Sequence, residues 1–179
     1  MKDTVKAGNA KSAVIIDLNS TYHTCKSVYK GRPNYSVIIK ALSVFNPAGR
    51  TFGVDTGREY HFRRYLQSLG YQAHFRLPKI YEDNRKSATV DVMIAVEAMR
   101  LLHDVDGIVL LSSDHNLNYV LKAYNALNKF TCVVGINIAR ELKECCTRYA
   151  EITEDAITKA TDPVVLFSDQ LSNTVEEVR

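Results

Sequence analysis

Hydrophobic and polar positions along this chain follow two periods, one typical of buried strands and the other of amphipathic helices. The strand-like runs fall at residues 13–17, 50–54, 72–75, 107–111, 131–134 and, with a weaker pattern, 149–152. Helix-like segments fill most of the gaps, at residues 35–45, 57–69, 88–103, 115–127 and 138–146. This alternation predicts an α/β fold with a mainly parallel central sheet.

The helix predicted at residues 88–103 has the clearest period. Its apolar residues recur at helical spacing and predict a stripe that faces the sheet, formed by Val92, Ala95, Val96, Met99 and Leu102. Residues 79–86, just before it, are polar and without period, which predicts an exposed loop. Gly70 follows the helix predicted at 57–69, where a C-cap glycine is expected.

Length and composition favour one domain. The chain has 179 residues, of which 46% are hydrophobic, and we expect an N-terminal extension at 1–12, a single domain at 13–160 and a C-terminal tail at 161–179. No segment approaches the roughly 18 consecutive apolar residues of a membrane span, and the first eleven residues are not followed by the apolar stretch of a signal peptide. Four cysteines without CxxC spacing indicate free thiols. These features predict a cytoplasmic protein with no membrane partner.

Acidic residues border three of the apolar runs. Asp17 ends the first strand, Asp114 follows the strand at 107–111, and Asp91 lies in the first turn of the helix at 88–103. Any one of them alone is more often a helix N-cap, but three at the carboxyl edge of a parallel sheet favour a binding site. Clustered carboxylates oppose one another's ionisation unless a cation lies among them. Ligands that are all oxygen suit Mg²⁺ or Mn²⁺.

Three segments resemble the motifs of the NYN branch of the PIN-like nucleases, the group that includes LabA-type proteins. Residues 15–19 read IIDLN, residues 89–98 read TVDVMIAVEA, and residues 108–117 read IVLLSSDHNL. The first is similar to the family's hydrophobic-Asp-x-Asn strand motif, the second to its helical segment with two acids, and the third to its Ser-Gly-Asp-x-Asp-Phe motif. The resemblance covers residues 13–152.

The resemblance implies a three-layer α/β/α, Rossmann-like (PIN-like) domain that acts as a metal-dependent endoribonuclease. It implies that Asp17, Asp91 and Asp114 are both the catalytic and the metal-binding residues, with Mg²⁺ or Mn²⁺ as the cofactor. Asn19, Glu97 and Asn116 take auxiliary positions around that set. The implied partner is RNA, single-stranded or structured, and homo-oligomerisation is left open. A metal at this place fits phosphodiester hydrolysis, because it acidifies bound water and offsets phosphate charge.

Two departures from the family pattern support an alternative. Asn116 stands where the family usually has a second Asp, and Ala88 stands where a Lys commonly precedes the helical Asp. Both favour a catalytically weakened RNA-binding or scaffold protein with the same fold. A haloacid-dehalogenase type of phosphotransferase needs an acid where Asn19 stands, and a DNA flap nuclease is disfavoured by the small size and by the absence of an evident helix-hairpin-helix.

Positive charge is concentrated near the predicted mouth of the site. The net charge of +3 is too small to indicate nucleic-acid binding by itself, so the placement of the cations matters. The candidate RNA-binding residues are Arg63, Arg64, Lys79, Arg85 and Lys86. Tyrosines that could stack on bases lie among them at positions 22, 29, 35 and 81. The sequence does not specify the RNA target or protein partners.

Overall fold

A six-stranded sheet forms the centre of the computed structural model, which describes residues 11–45, 49–54, 59–80, 86–87 and 89–159. The strands are β1 (Ser12–Asp17), β2 (Gly31–Pro33), β3 (Arg50–Val54), β4 (Gln72–Arg76), β5 (Lys79–Ile80), β6 (Lys86–Ser87), β7 (Gly107–Leu111), β8 (Phe130–Gly135), β9 (Arg148–Glu151) and β10 (Ile157–Lys159). The α-helices are α1 (Leu18–Tyr29), α2 (Tyr35–Leu42), α3 (Tyr60–Ser68), α4 (Asp91–Leu101), α5 (Asn118–Ala126) and α6 (Arg140–Cys145). Short 3₁₀ turns lie at Ser43–Phe45, His115–Leu117 and Glu154–Ala156.

The order of strands in the central sheet is β4-β3-β1-β7-β8-β9, and neighbouring strands are parallel throughout. Every residue of β1 and of β7 is buried. This burial on both faces explains why the two strands read as continuous apolar runs rather than as alternating ones. The predicted α/β fold with a mainly parallel sheet is confirmed.

Helices cover both faces of the sheet, which gives the three layers that the family resemblance implies. Odd positions of β1, such as Ile15, pack with Ile94 of α4 and Leu121 of α5 in one hydrophobic cluster. Even positions, such as Ile16, belong to a second cluster that includes residues of α1, α2 and α3. The period-2 alternation of a strand thus divides the core into two halves.

Some elements were not anticipated from the sequence. Helix α1 has only three buried residues, Leu18, Thr21 and Cys25, and one of them is polar, so its apolar pattern is weak. The predicted loop at 79–86 is wrong at its ends, where β5 and β6 pair antiparallel. Strands β2 and β10 form a further antiparallel pair. Gly70 has the positive φ of 84° expected of a residue that ends a helix.

The predicted sheet-facing stripe of α4 is wrong for three of its five residues. Val92, Val96 and Met99 are exposed by 66%, 55% and 45%. The core instead receives Ile94 and Ala98, which lie on another side of the helix and are fully buried. Both sets of apolar residues have helical spacing, so periodicity alone could not choose between them.

Within the described ranges, no helix is both long and apolar enough to cross a membrane. All four cysteines are free thiols, as their spacing predicts. The proposed domain limits at 13 and 160 stay a prediction. The helices and strands given above lie between residues 12 and 159, and the extension at 1–10 and the tail from residue 160 lie outside the described residues.

Candidate functional site

The candidate site lies where the strand order reverses. From β1 the chain proceeds to β3 and β4 on one side, then returns to β7 on the other side of β1. The helices that follow β1 and β7, α1 and α5, pack on opposite faces of the sheet. Such a reversal opens a crevice at the carboxyl ends of the two strands, the usual ligand position in open α/β sheets.

Asp17 lies at this crevice, at the end of β1, and its side chain is held by three hydrogen bonds. Its Oδ1 accepts from the backbone N–H of Asn19 at 3.1 Å and of Ser20 at 2.9 Å. Its Oδ2 accepts from the Ser112 hydroxyl at 3.1 Å. Asp17 is therefore the N-cap of α1 and also a buried carboxyl facing the crevice, so the cap and the site interpretations both apply.

Ser112 connects the first carboxyl to the third. Besides donating to Asp17, its Oγ accepts the backbone N–H of Asp114 at 3.2 Å. Asp114 in turn caps the following 3₁₀ turn, because its Oδ1 accepts the Asn116 N–H at 2.9 Å. The exposed His115 contributes a ring nitrogen 3.7 Å from the same Oδ1. The fully buried Ser112 thus fixes the positions of both strand ends.

Asp91 reaches the same crevice from the start of α4. Its backbone N–H donates a hydrogen bond to Oγ1 of Thr89 at 3.3 Å. Together with Asp17 and Asp114 it lines a cavity of about 360 Å³. The three acids that the sequence singled out are therefore brought to one place by three different elements.

Burial raises the pKa of Asp17 to about 6, and the charge of Asp91 adds to the rise. The three hydrogen bonds act in the opposite direction, since they favour the carboxylate. A cation placed in the cavity would counter both unfavourable effects.

The donor set fits a hydrated cation rather than a closed protein cage. Among the described residues, no three His, Cys, Asp or Glu side chains are grouped closely enough to hold a metal by themselves. Mg²⁺ usually keeps several waters and is bound through one or two carboxylates. The cavity offers such carboxylates, together with the hydroxyl and amide groups of Ser20, Thr24 and Asn19 in its lining.

The predicted auxiliary residues are placed differently from one another. Asn19 lines the cavity. Glu97 lies about 9 Å further along α4 than Asp91 and pairs with Arg50 at 3.1 Å, away from the cavity lining. Asn116 is exposed and likewise does not belong to the lining.

Of the predicted RNA-binding cations, the three whose side chains the structure describes, Arg63, Arg64 and Lys79, do not line the acidic cavity. Arg63 lies over the ring of Phe75 at 5.0 Å, and Arg64 over that of Tyr60 at 6.0 Å. Lys79 is exposed in β5. Arg85 and the side chain of Lys86 lie outside the described residues, as do Tyr81 and Ala88.

Three residues at the site were missed by sequence reasoning. Arg76 ends β4 and donates to the backbone carbonyl of Thr89 at 3.1 Å, beside Asp91. Ser112 carries no motif that reveals its link to Asp17, 95 residues away in sequence. His23 lines the cavity, and its position one helical turn after Asn19 is the signal that could have found it.

A second cavity adjoins the first on the α1 side. It measures about 520 Å³, and Asn19 and His23 line both cavities. Four aromatic residues are part of its lining: Tyr22, Tyr35, Phe62 and Phe75. Of the predicted stacking tyrosines, Tyr22 and Tyr35 lie here, whereas the Tyr29 hydroxyl donates to the carbonyl of Ile152.

Comparisons with known proteins agree with this architecture. The model of the NYN domain family matches residues 11–153. The low amplitude and bright protein LabA of Synechococcus elongatus is 30% identical over 129 residues, which cover 68% of this chain and 69% of LabA.

A crystal structure of a protein of unknown function from Vibrio parahaemolyticus has the same fold, with a TM-score of 0.75 and 18% identity. The match covers 87% of this chain and all of the neighbour. The family match, the LabA relative and the shared fold point the same way. The chain belongs to the NYN domain family, which is related to the PIN-like nucleases.

Proposed function

We propose that this protein is an endoribonuclease that depends on Mg²⁺ or Mn²⁺. One observation carries the proposal: Asp17, Asp91 and Asp114 line a single cavity at the strand-order reversal of an NYN domain. The same three residues are proposed as the metal-binding and catalytic set. RNA is the proposed substrate, and the cytoplasm is the proposed location.

Two of the three acidic residues are held in place through one hydroxyl, that of Ser112. Asp17 is fixed by backbone N–H groups and by Ser112, so its free lone pairs point in a set direction. Asp114 is tied to the same hydroxyl through its backbone. Asp17, Asp91 and Asp114 would hold the divalent cation, which would acidify a bound water and offset the charge of the phosphate.

Arg76 is suited to hold the RNA backbone at this site. Its guanidinium donates to the carbonyl of Thr89, a residue of the cavity lining, while the side chain remains exposed. An exposed guanidinium can bind a phosphate through two parallel hydrogen bonds. Positioning by such contacts, together with electrostatic stabilisation, accounts for much of the catalysis of phosphodiester cleavage.

The test uses purified protein with labelled single-stranded RNA, duplex RNA and DNA, in Mn²⁺, in Mg²⁺ and in EDTA. We expect internal cleavage of RNA with metal and none in EDTA. Asp91→Asn should reduce the cleavage rate by more than about 100-fold. Losing even a residue that only hydrogen-bonds to a metal ligand lowers metal affinity or activity by about 10–100-fold. Asp104→Asn, an exposed acid after α4, is the matched control and should cleave like wild type.

The outcomes separate the proposal from its alternative. Cleavage in EDTA, or an Asp91→Asn variant as fast as wild type, contradicts the metal-dependent mechanism. Binding of RNA without cleavage in any metal supports a catalytically weakened RNA-binding or scaffold protein. The exposed Asn116 in place of the usual family acid, and the absence of a three-ligand group among the described residues, are the features that favour that alternative.

A further inference from the structure

The aromatic cavity adjoins the acidic one and shares part of its lining. Asn19 and His23, one turn apart on α1, line both cavities. A ligand that occupies the acidic cavity can therefore extend past these two side chains without leaving the surface. The aromatic cavity is the larger, with about 520 Å³ against about 360 Å³, and lies in the range of roughly 300–1,000 Å³ typical of small-molecule pockets.

Several aromatic rings lie close together in the wall of this cavity. The Phe62 ring lies 5.4 Å from that of Tyr35 and 6.5 Å from that of Phe75, measured between centroids. Tyr22, on α1, adds a further ring to the lining. Stacking on aromatic side chains is the sequence-tolerant means by which proteins bind unstacked bases.

A glycine keeps the strand side of the cavity open. Gly53 of β3 lines it, and a Cβ at this position would lie 2.9 Å from Cε1 of Phe75 and 3.2 Å from Cδ1 of Leu18. Any other residue would displace the Phe75 ring. The absence of a side chain at Gly53 leaves room for that ring beside the strand.

Cations lie next to both cavities, while Glu59 is the one acidic residue among the described residues that line the aromatic cavity. The guanidinium of Arg63 lies over the Phe75 ring at 5.0 Å, and Arg76 is bonded to a residue of the acidic cavity. Cations on the aromatic side and at the acidic mouth suit a phosphate backbone that passes between them. A neutral aromatic ligand or an apolar peptide would gain nothing from these charges.

We propose that the aromatic cavity receives one unstacked nucleobase of single-stranded RNA while the phosphate next to it lies at the acidic cavity. The proposal rests on the proposed ribonuclease function for its choice of RNA as ligand. It assigns Tyr22, Tyr35, Phe62 and Phe75 as the base-binding side chains and Asn19 with His23 as the boundary between base and phosphate. A base paired and stacked in a duplex cannot enter the cavity.

The test measures binding in EDTA by fluorescence anisotropy, so that cleavage plays no part. The probes are the shortest labelled single-stranded RNA that still binds, the same RNA with one abasic nucleotide, and a blunt duplex RNA. Tyr22→Leu removes a ring that is not part of the hydrophobic core clusters, and Tyr22→Phe restores it. Tyr119→Leu, at a tyrosine 74% exposed on α5, is the matched control.

We expect Tyr22→Leu to weaken single-strand binding at least about fivefold, since base stacking contributes about 1–3 kcal/mol per base. Tyr22→Phe and Tyr119→Leu should bind like wild type. The abasic RNA should bind wild type more weakly. For Tyr22→Leu, in which three of the four rings remain, the difference in affinity between the abasic and the intact strand should be smaller. Wild type should prefer the single strand to the duplex.

Distinct results overturn the two proposals. If wild type binds RNA but Tyr22→Leu binds it equally, or if the duplex competes as well as the single strand, the base cavity is wrong while the ribonuclease proposal stands. If wild type binds no RNA in EDTA, the base cavity is wrong, whereas the ribonuclease proposal, which requires the metal, is decided by the cleavage test. Unchanged thermal melting of Tyr22→Leu shows that any loss of binding does not come from unfolding.

Discussion

At the scale of single residues, Asp17 combines two roles that oppose each other energetically. As the N-cap of α1 its carboxylate accepts two backbone N–H groups, an arrangement that favours the charged form. As a residue of the cavity it is only 2% exposed and lies near Asp91, and both conditions disfavour the charge. Burial prevails, so the carboxyl keeps its proton to a higher pH than in an unfolded chain.

We expect the metal-free protein to lose stability as Asp17 ionises. The folded pKa of about 6 lies above the ordinary value of 3.8, so the extra stability is fully present below about pH 4 and is lost as the pH rises through 6. The shift corresponds to about 3 kcal/mol of the free energy of unfolding. Urea unfolding of wild type and Asp17→Asn in EDTA, between pH 4 and 7.5, measures it.

The difference between the two proteins isolates this residue from other titrating groups. Asp17→Asn should gain stability relative to wild type as the pH rises from 4 to 7, because its amide has no proton to lose. The stability of the control variant Asp104→Asn should depend on pH in the same way as that of wild type. Parallel curves for wild type and Asp17→Asn would contradict the raised pKa.

At the scale of elements, helix α4 shows how packing selects one of two apolar faces. Val90, Ile94 and Ala98 are spaced by four residues and buried, and the Tyr124 hydroxyl of α5 donates to the carbonyl of Ala98 at 2.7 Å. The small side chain of Ala98 leaves room for this contact. With that face against the core, the first turn of α4 brings Asp91 to the cavity.

Substitutions on the two faces of α4 should therefore differ sharply. Ile94→Ala should lower the free energy of unfolding by about 2–5 kcal/mol, since it leaves a cavity in the core. Val96→Lys, on the exposed face, should change it by no more than about 0.5 kcal/mol. Thermal or urea unfolding of the two variants measures both effects, and a larger loss for Val96→Lys would mean that the sequence-predicted stripe faces the sheet after all.

At the scale of the whole molecule, charge is distributed unevenly although the net charge is only +3. The acidic cavity lies at the carboxyl edge of the sheet, with Arg76 at its mouth. Arg63, Arg64 and Lys79 lie on the neighbouring elements α3 and β5. Such a surface can attract an RNA backbone to a site that is itself negative.

RNA binding should weaken with salt, and Arg76→Ala should reduce the slope of log affinity against log salt by about 0.7. The double variant Arg85→Ala with Lys86→Ala should reduce it by about twice that amount if both cations contact phosphates. Arg100→Ala is the control, since its side chain is 76% exposed near the far end of α4. Anisotropy titrations at several salt concentrations in EDTA supply the slopes, and an unchanged slope for Arg76→Ala would move the RNA path elsewhere.

The sequence by itself determined the α/β class, most helices and strands, and the three motifs with Asp17, Asp91 and Asp114. These features depend on residues that are close in sequence, because the period of a strand or helix and the identity of an N-cap are each determined within a few residues. Helix α1 escaped detection because its buried face contains Thr21, whose hydroxyl donates to the carbonyl of Asp17 at 2.6 Å.

Only the tertiary structure decided which groups meet. Ser112 and Asp17 are 95 residues apart, and they touch because β1 and β7 are neighbours in the sheet. The same order of strands and helices excludes Glu97 and Asn116 from the cavity lining and gathers four aromatic rings beside it. Periodicity specifies that a residue is apolar or polar on its own element, whereas the partner across space depends on strand order and on the face that each helix buries.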